Sequence, residues 1–208
     1  MFPVLTFKIA DVPVQLTVNG IPGLNETELT AFYFKEREIR ECLMFFMAWA
    51  KFQEITGADD QPKNFIITQL FISFLIEKSY KPPIQDVIKT AENYNGEVIK
   101  LNQDSMEKVN YRNSPKSSIL LKEFFHFLLN WNPANQKLDI FEQRANESAF
   151  YDKGVHDAKD HIFIKSMVNS QNIASYLNYG HGFKNTINFL QRVYDFRYFR
   201  TVSDLLIK

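Results

Sequence analysis

The feature that most restricts the fold is a change of period at Asn19-Gly20. Before it, Val12, Val14, Leu16 and Val18 alternate with Gln15 and Thr17, the pattern of a strand with one apolar face. Phe2 to Ile9 alternates in the same way, and only Ala10-Asp11 separates the two runs, so an antiparallel hairpin is expected. Pro3 and Pro13 lie at strand starts, where a missing N–H is tolerated. Beyond Gly20 the period lengthens. Leu29, Phe32, Tyr33, Cys42, Phe45, Phe46, Trp49 and Phe52 recur at helical spacing, with Glu26, Thr27 and Glu28 suited to a helix start.

The rest of the chain keeps the helical period. ITGADDQPK interrupts it, and Phe65 to Tyr80 then reads as a helix apolar on most sides, hence central, closed by Lys81-Pro82-Pro83. Residues 93–113 are polar and read as an exposed excursion. Ser114-Pro115 resembles an N-cap and first helical position for SSILLKEFFHFLLN, with Ile119, Leu120, Phe124, Phe127 and Leu128 inward. Leu138 to Phe141 and Phe163 to Lys165 read as brief strands around a polar loop, residues 142–159. Two helices close the chain: Ser170 to Asn178, ending at Gly180, and Phe183 to Phe196, with Ile187, Leu190, Val193 and Tyr194 inward. The expected fold is mainly α with a short N-terminal hairpin. Its expected core is Phe45, Trp49, Leu70, Phe74, Leu121, Phe125, Ile187 and Leu190.

Composition narrows the function classes. The chain has 208 residues, 45% hydrophobic and 23% charged, enough for a real core. Its 24 Lys and Arg balance 24 Asp and Glu, which excludes a uniformly basic nucleic-acid surface and leaves only local RNA contacts. The single cysteine, Cys42, excludes an internal disulfide and fits a reducing compartment; its place mid-helix reads as core rather than nucleophile. The start MFPVLTFKIAD has none of the parts of a signal peptide. Phe65 to Ile76 is too short for a bilayer, which needs about 20 apolar residues. Among His126, His156, His161 and His181, the grouping His156-Asp157 and Asp160-His161 fits no common zinc spacing. No Gly-x-Ser-x-Gly nucleophile turn occurs, and the seven glycines form no phosphate loop.

The ordered series FPVLTFKIADVPVQLTVN, ETELTAFY, MAWAK, an apolar helix ending in KPP, ILLKEFFHFLLNW and SQNIASYL resembles the second half of the terminal nucleotidyltransferase family. That family contains the cytoplasmic poly(A) and poly(U) polymerases, which extend RNA 3′ ends. The resemblance implies a division of the chain: residues 1–20 would be the hairpin of the catalytic palm and residues 21–208 the helical central, PAP-associated domain.

In active members of the family, Mg²⁺ or Mn²⁺ is expected, and three carboxylates hold two such ions across the reacting phosphate. Two come from an Asp-x-Asp strand after a Gly-Ser turn, and no such segment precedes the hairpin in this chain. The third belongs to the strand written here Val14-Gln15-Leu16-Thr17-Val18-Asn19, so Gln15 occupies the aspartate position. A neutral amide is a poor ligand for a hard divalent cation. No catalytic residue and no metal ligand is therefore assigned.

The nucleotide-binding residues implied by the resemblance are vestigial. Of two lysines facing the triphosphate, Lys51 is kept and the other position is Met47; Lys51 also suits a snorkelling lysine at a core edge. The serine pair and tyrosine opening the family's next helix fall around Asn64-Phe65-Ile66. Gln171 precedes Asn172 where uridine-preferring members have histidine before asparagine, and Lys165-Ser166-Met167 replaces Asp-Pro-Phe. Tyr111 lies nearest to the base-stacking tyrosine and reads equally as a loop tyrosine.

Three functions fit these residues. One is a degenerate or truncated nucleotidyltransferase, inactive alone, retained as a binding or scaffold domain. Another is a piece of a working RNA uridylyl- or adenylyltransferase, and the last is an unrelated helical interaction domain. The expected partners are a protein at the exposed hairpin edge, with RNA bound weakly and no membrane. The expected compartment is the cytoplasm, or the nucleus.

Overall fold

The computed structural model describes residues 4–17, 20–88, 101, 112–140, 148–152, 162–167 and 171–195. Strands β1 (Val4–Ile9) and β2 (Val12–Thr17) form the expected antiparallel hairpin. Ala10 and Asp11 both adopt positive φ, 48° and 66°, which is the type I′ geometry whose twist matches the strands it joins. Register places Leu5 opposite Leu16, Phe7 opposite Val14 and Ile9 opposite Val12, so these residues share one face. In the same register Gln15 pairs with Thr6. The apolar face is uncovered: Leu5, Ile9 and Val12 are 60%, 59% and 61% exposed. The hairpin forms a separate two-stranded sheet among the described residues.

The helical period between Gly20 and Phe52 resolves into two helices, α1 (Ile21–Tyr33) and α2 (Arg37–Phe52). The first begins ahead of Glu26 because Pro22 occupies its opening turn, where no N–H is required. Between the helices, Glu36 is extended, and the Lys81-Pro82-Pro83 segment holds the joint. Lys81 Nζ lies 2.6 Å from Glu36 Oε1, and the Tyr33 hydroxyl donates to Pro82 O at 2.9 Å. Burial would raise the Glu36 carboxyl, but hydrogen bonding to Lys81 holds it below the ordinary carboxylate value. The motif that reads in sequence as a helix stop is thus also a tertiary clamp.

Helix α3 (Asn64–Glu77) is apolar all round, and every residue from Gln69 to Ile76 is buried. A helix of that kind belongs at the centre of a fold. The short α4 (Ile84–Val87) follows Pro83, and α5 (Ser117–Leu129) starts after Ser114-Pro115 rather than at it, with Lys116 in the cap position. Aromatic rings join these helices. Phe46 of α2 lies 4.8 Å from Phe124 of α5, centroid to centroid; Phe124 is 4.8 Å from Phe71 of α3. Cys42 sits in this core, and burial pushes its thiol up, away from reactivity.

A small sheet of β3 (Gln136–Leu138), β4 (Phe150–Asp152) and β5 (Phe163–Ile164) has the order β4-β3-β5, with β4 antiparallel and β5 parallel to β3. Strand β4 lies inside the segment expected to be loop. Its signal is a single anchor, Phe150, stacked 6.0 Å from Trp131 and 4.8 Å from Phe127. The helix expected over Ser170 to Asn178 is a 3₁₀ turn, Ser175–Asn178.

Helix α6 (Gly182–Asp195) differs from expectation in phase. Its buried face is Gly182, Thr186, Phe189 and Val193, whereas Ile187 and Tyr194 are 41% and 44% exposed and Leu190 is only partly buried. Gly182 sets that phase: a Cβ there would meet Leu177 O at 2.6 Å and Leu177 Cα at 2.7 Å. Phe45 is likewise only partly buried, and Phe52 and Ile119, expected inward, are 42% and 49% exposed. Trp49, Leu70, Phe74, Leu121 and Phe125 are core. Among the described residues no helix is long and apolar enough to cross a membrane.

The α6 phase makes a direct prediction. Phe189→Ala should cost about 3–5 kcal/mol in urea unfolding, and Ile187→Ala less than about 0.5 kcal/mol. Gly182→Ala should cost about 1–3 kcal/mol, because backbone rather than a movable side chain blocks its methyl group. Equal costs for Phe189→Ala and Ile187→Ala would show the helix rotated from this position.

Candidate functional site

The N-terminal turn of α3 is where the candidate site is built. A cleft of about 500 Å³ opens between it and α1, lined by Gly23, Glu26, Thr27 and Thr30 on one side and Asn64, Phe65 and Thr68 on the other. Phe65 is the one large apolar residue of α3 turned outward, 40% exposed, which gives the cleft a flat apolar surface. The hydroxyls of Thr27 and Thr68 donate back to Gly23 O (2.8 Å) and Asn64 O (2.9 Å) in their own helices. Their oxygens therefore meet the cleft as acceptors. Glu26 adds a carboxyl whose pKa burial raises. Among the described residues no lysine or arginine lines the cleft. An aromatic ring beside acceptors suits a flat, donor-bearing group, and the carboxylate opposes a phosphate.

The segment carrying Gln171 and Asn172 is fastened to the same end of α3. The Tyr176 hydroxyl accepts from Lys63 N at 2.9 Å and donates to Gln61 O at 3.2 Å, and its ring lies 6.1 Å from Phe65. Buried Gln69 in α3 donates its side-chain amide to Lys165 O. Lys165 in turn forms a mostly buried ion pair with Asp139 at 2.9 Å. Asn172 organises the turn itself: Oδ1 accepts from Ile164 N and Ala174 N, both at 3.0 Å, and Nδ2 donates to Ile162 O at 2.9 Å. Those bonds compete with continued helix and explain why only a 3₁₀ turn forms here.

The candidate residues from the sequence are only partly brought together. Asn172 belongs to the loop that Tyr176 fastens to the start of α3, with its own side chain engaged by backbone at Ile162, Ile164 and Ala174. Gln171 is exposed, and its carbonyl accepts from Ser166 N at 2.9 Å. Lys51 is exposed in the last turn of α2 and, like Gln171 and Asn172, does not line the cleft. Gln15 lies in β2 opposite Thr6. Tyr111 lies outside the described residues, as do His156 and His161; His126 and His181 are exposed. Among the described residues no three His, Cys, Asp or Glu side chains gather to hold a metal. In the sequence Glu26 reads only as a helix-start residue, and Phe65 only as part of Asn64-Phe65-Ile66, where the resemblance places a serine pair and a tyrosine. An aromatic residue at the start of an otherwise buried helix was the available signal.

No family model and no curated protein sequence matches the chain. Solved structures do. The chain superposes over 99% of its length on mtPAP, a poly(A) polymerase, in its apo form (TM-score 0.75, 15% identity, 44% of that chain). Its match to mtPAP in complex with UTP is equivalent (TM-score 0.75, 15% identity, 99% of this chain and 45% of that one). Over 100% of its length it matches Cid1, an RNA terminal uridylyl transferase (TM-score 0.65, 13% identity, 71% of that chain). The chain thus spans less than half the length of mtPAP. On these similarities, the chain has a terminal nucleotidyltransferase-like fold.

Proposed function

We propose that this chain is a terminal nucleotidyltransferase-like module that binds and does not catalyse, with residues 1–20 corresponding to the palm hairpin and residues 21–208 to the helical central domain. The carrying observation is Gln15. The hairpin forms in the register its sequence requires, yet the strand position at which the resemblance places a metal-binding aspartate holds an amide, and hard divalent cations need carboxylate charge. The α1–α3 cleft supports the same reading: among the described residues its one ionisable lining side chain is the Glu26 carboxyl, whose charge opposes a triphosphate. RNA contact on this reading is local and weak.

A protein partner is supported by the hairpin's uncovered face. Leu5, Phe7, Ile9, Val12 and Leu16 are all exposed there, and a hairpin standing alone is of marginal stability in water. An apolar surface of this kind is a site for association. Leu5→Asp with Leu16→Asp should abolish that association, and Lys51→Ala should leave it intact; the reverse pattern in a binding assay would contradict the hairpin assignment.

The functional reading is tested by RNA 3′-end extension. The purified chain should add no nucleotide with Mg²⁺ or Mn²⁺, and Gln15→Asp should not restore activity, since one carboxylate cannot hold two metal ions. Extension above a protein-free blank, abolished by EDTA, would contradict it.

Glu26 gives a pH prediction. Burial raises its folded-state pKa above the ordinary 4.5, so its charge opposes folding once pH rises past that folded value. Glu26→Gln should raise the melting temperature near neutral pH, with the gain disappearing below 4.5, where the carboxyl is protonated in both states. An unchanged melting temperature at neutral pH would remove Glu26 from the buried wall.

A further inference from the structure

A second cleft, of about 470 Å³, lies between the C-terminal end of α2 and α6 and shares no lining residue with the α1–α3 cleft. Its walls are rich in carboxamides: Gln53 and Gln61 on the α2 side, Asn185, Asn188 and Gln191 along α6. From this cleft we infer a binding site for an extended segment of polypeptide, held chiefly by its main chain.

Several observations lead there. The α6 residues Asn185, Asn188, Arg192 and Asp195 follow one another at three- or four-residue spacing, so they form a stripe of about 15 Å along the helix at ~1.5 Å per residue. A carboxamide carries a donor and an acceptor side by side, the complement of a peptide group; Asn188 presents this pair at an exposed position, whereas Gln61, Asn185 and Gln191 also bond within the chain. Successive turns of the stripe, about 5.4 Å apart, approach the spacing of roughly 6.6 Å between same-side groups of an extended chain.

The walls are fixed before any ligand arrives. Gln61 donates to Glu54 O at 3.0 Å and accepts from Ala58 N at 3.3 Å, and Asn185 donates to Asp60 O at 3.4 Å. Glu54 is held at positive φ, 56°, a strained conformation that recurs at binding sites. The side-chain nitrogen of Gln53 is buried with no acceptor among the described residues, a state that costs free energy until something accepts from it.

Charge and the lack of rings decide the ligand class. Among the described lining residues Glu54 and Asp195 outnumber Arg192, a balance that disfavours a polyanion such as RNA. Among the described residues no aromatic side chain lines it, so these walls offer no stacking platform of the kind single-stranded nucleic acid uses. A neutral main chain with one acidic side chain directed at Arg192 fits what remains.

The probe is a fluorescein-labelled peptide of alternating threonine and serine closed by one aspartate, titrated with the full chain by fluorescence anisotropy. It should bind, and Asn188→Ala, Asn188→Asp and Arg192→Ala should each weaken it by about fivefold, the loss of one hydrogen bond. All three substitutions fall at exposed positions, and unchanged melting curves would show them folded. The same peptide with every amide N-methylated should fail to bind. The site is overturned by no binding up to about 1 mM, by equal binding of the N-methylated peptide, or by α6 variants that bind unchanged. Displacement of the probe by oligouridylate or a maltooligosaccharide, with no effect of unlabelled peptide, would reassign the cleft to those ligands and contradict the inference.

Discussion

The helical core hangs on the edge-to-face contact between Phe46 and Phe124, 4.8 Å apart at the meeting of α2 and α5. Phe46 also reaches Trp49, Phe125 and Phe189, and Phe124 reaches Phe71 and Phe74. One pair of rings therefore couples α2, α3, α5 and α6. Aromatic pairs add about 0.5–1.5 kcal/mol each beyond the area they bury, and their preferred geometry fixes helix orientation in a way that aliphatic packing does not. The outward-facing positions of these helices are then determined. Phe65 is exposed because the opposite side of α3 is committed to this cluster, and the stripe on α6 faces outward because Phe189 and Val193 face inward.

This dependence explains what was legible in the sequence. Strong periods were readable: the alternation of 4–17 gave a hairpin in register, and the all-apolar run of α3 gave a central helix. Phase was less readable. In α6, Ile187 is the more apolar-looking choice by composition, yet a glycine packed on the Leu177 backbone turns Phe189 inward instead. Strand β4 carries too few residues for a period and is made by pairing with β3 and by Phe150. Tertiary bonds, as between Lys81 and Glu36, leave no local pattern at all.

The candidate site shows the same division. The place of Gln15 followed from strand alternation, and the loop of Asn172 was found by its position in an ordered series of segments. The role of Asn172 was not legible, because two of its three backbone bonds depend on Ile164 of β5 and Ile162 just before it. Glu26 and Phe65 come from helices separated by the whole of α2, and only folding makes them neighbours in one cleft. Its chemistry, a ring beside hydroxyl acceptors and a half-buried carboxyl, suits a flat group and opposes a phosphate.

That opposition is most directly measured by isothermal titration of UTP and ATP into the chain, with and without Mg²⁺. The account predicts no saturable heat for either triphosphate up to about 1 mM. Micromolar, Mg²⁺-dependent binding that disappears in Lys51→Ala would contradict it, since the phosphate clamp and metal site would then be intact.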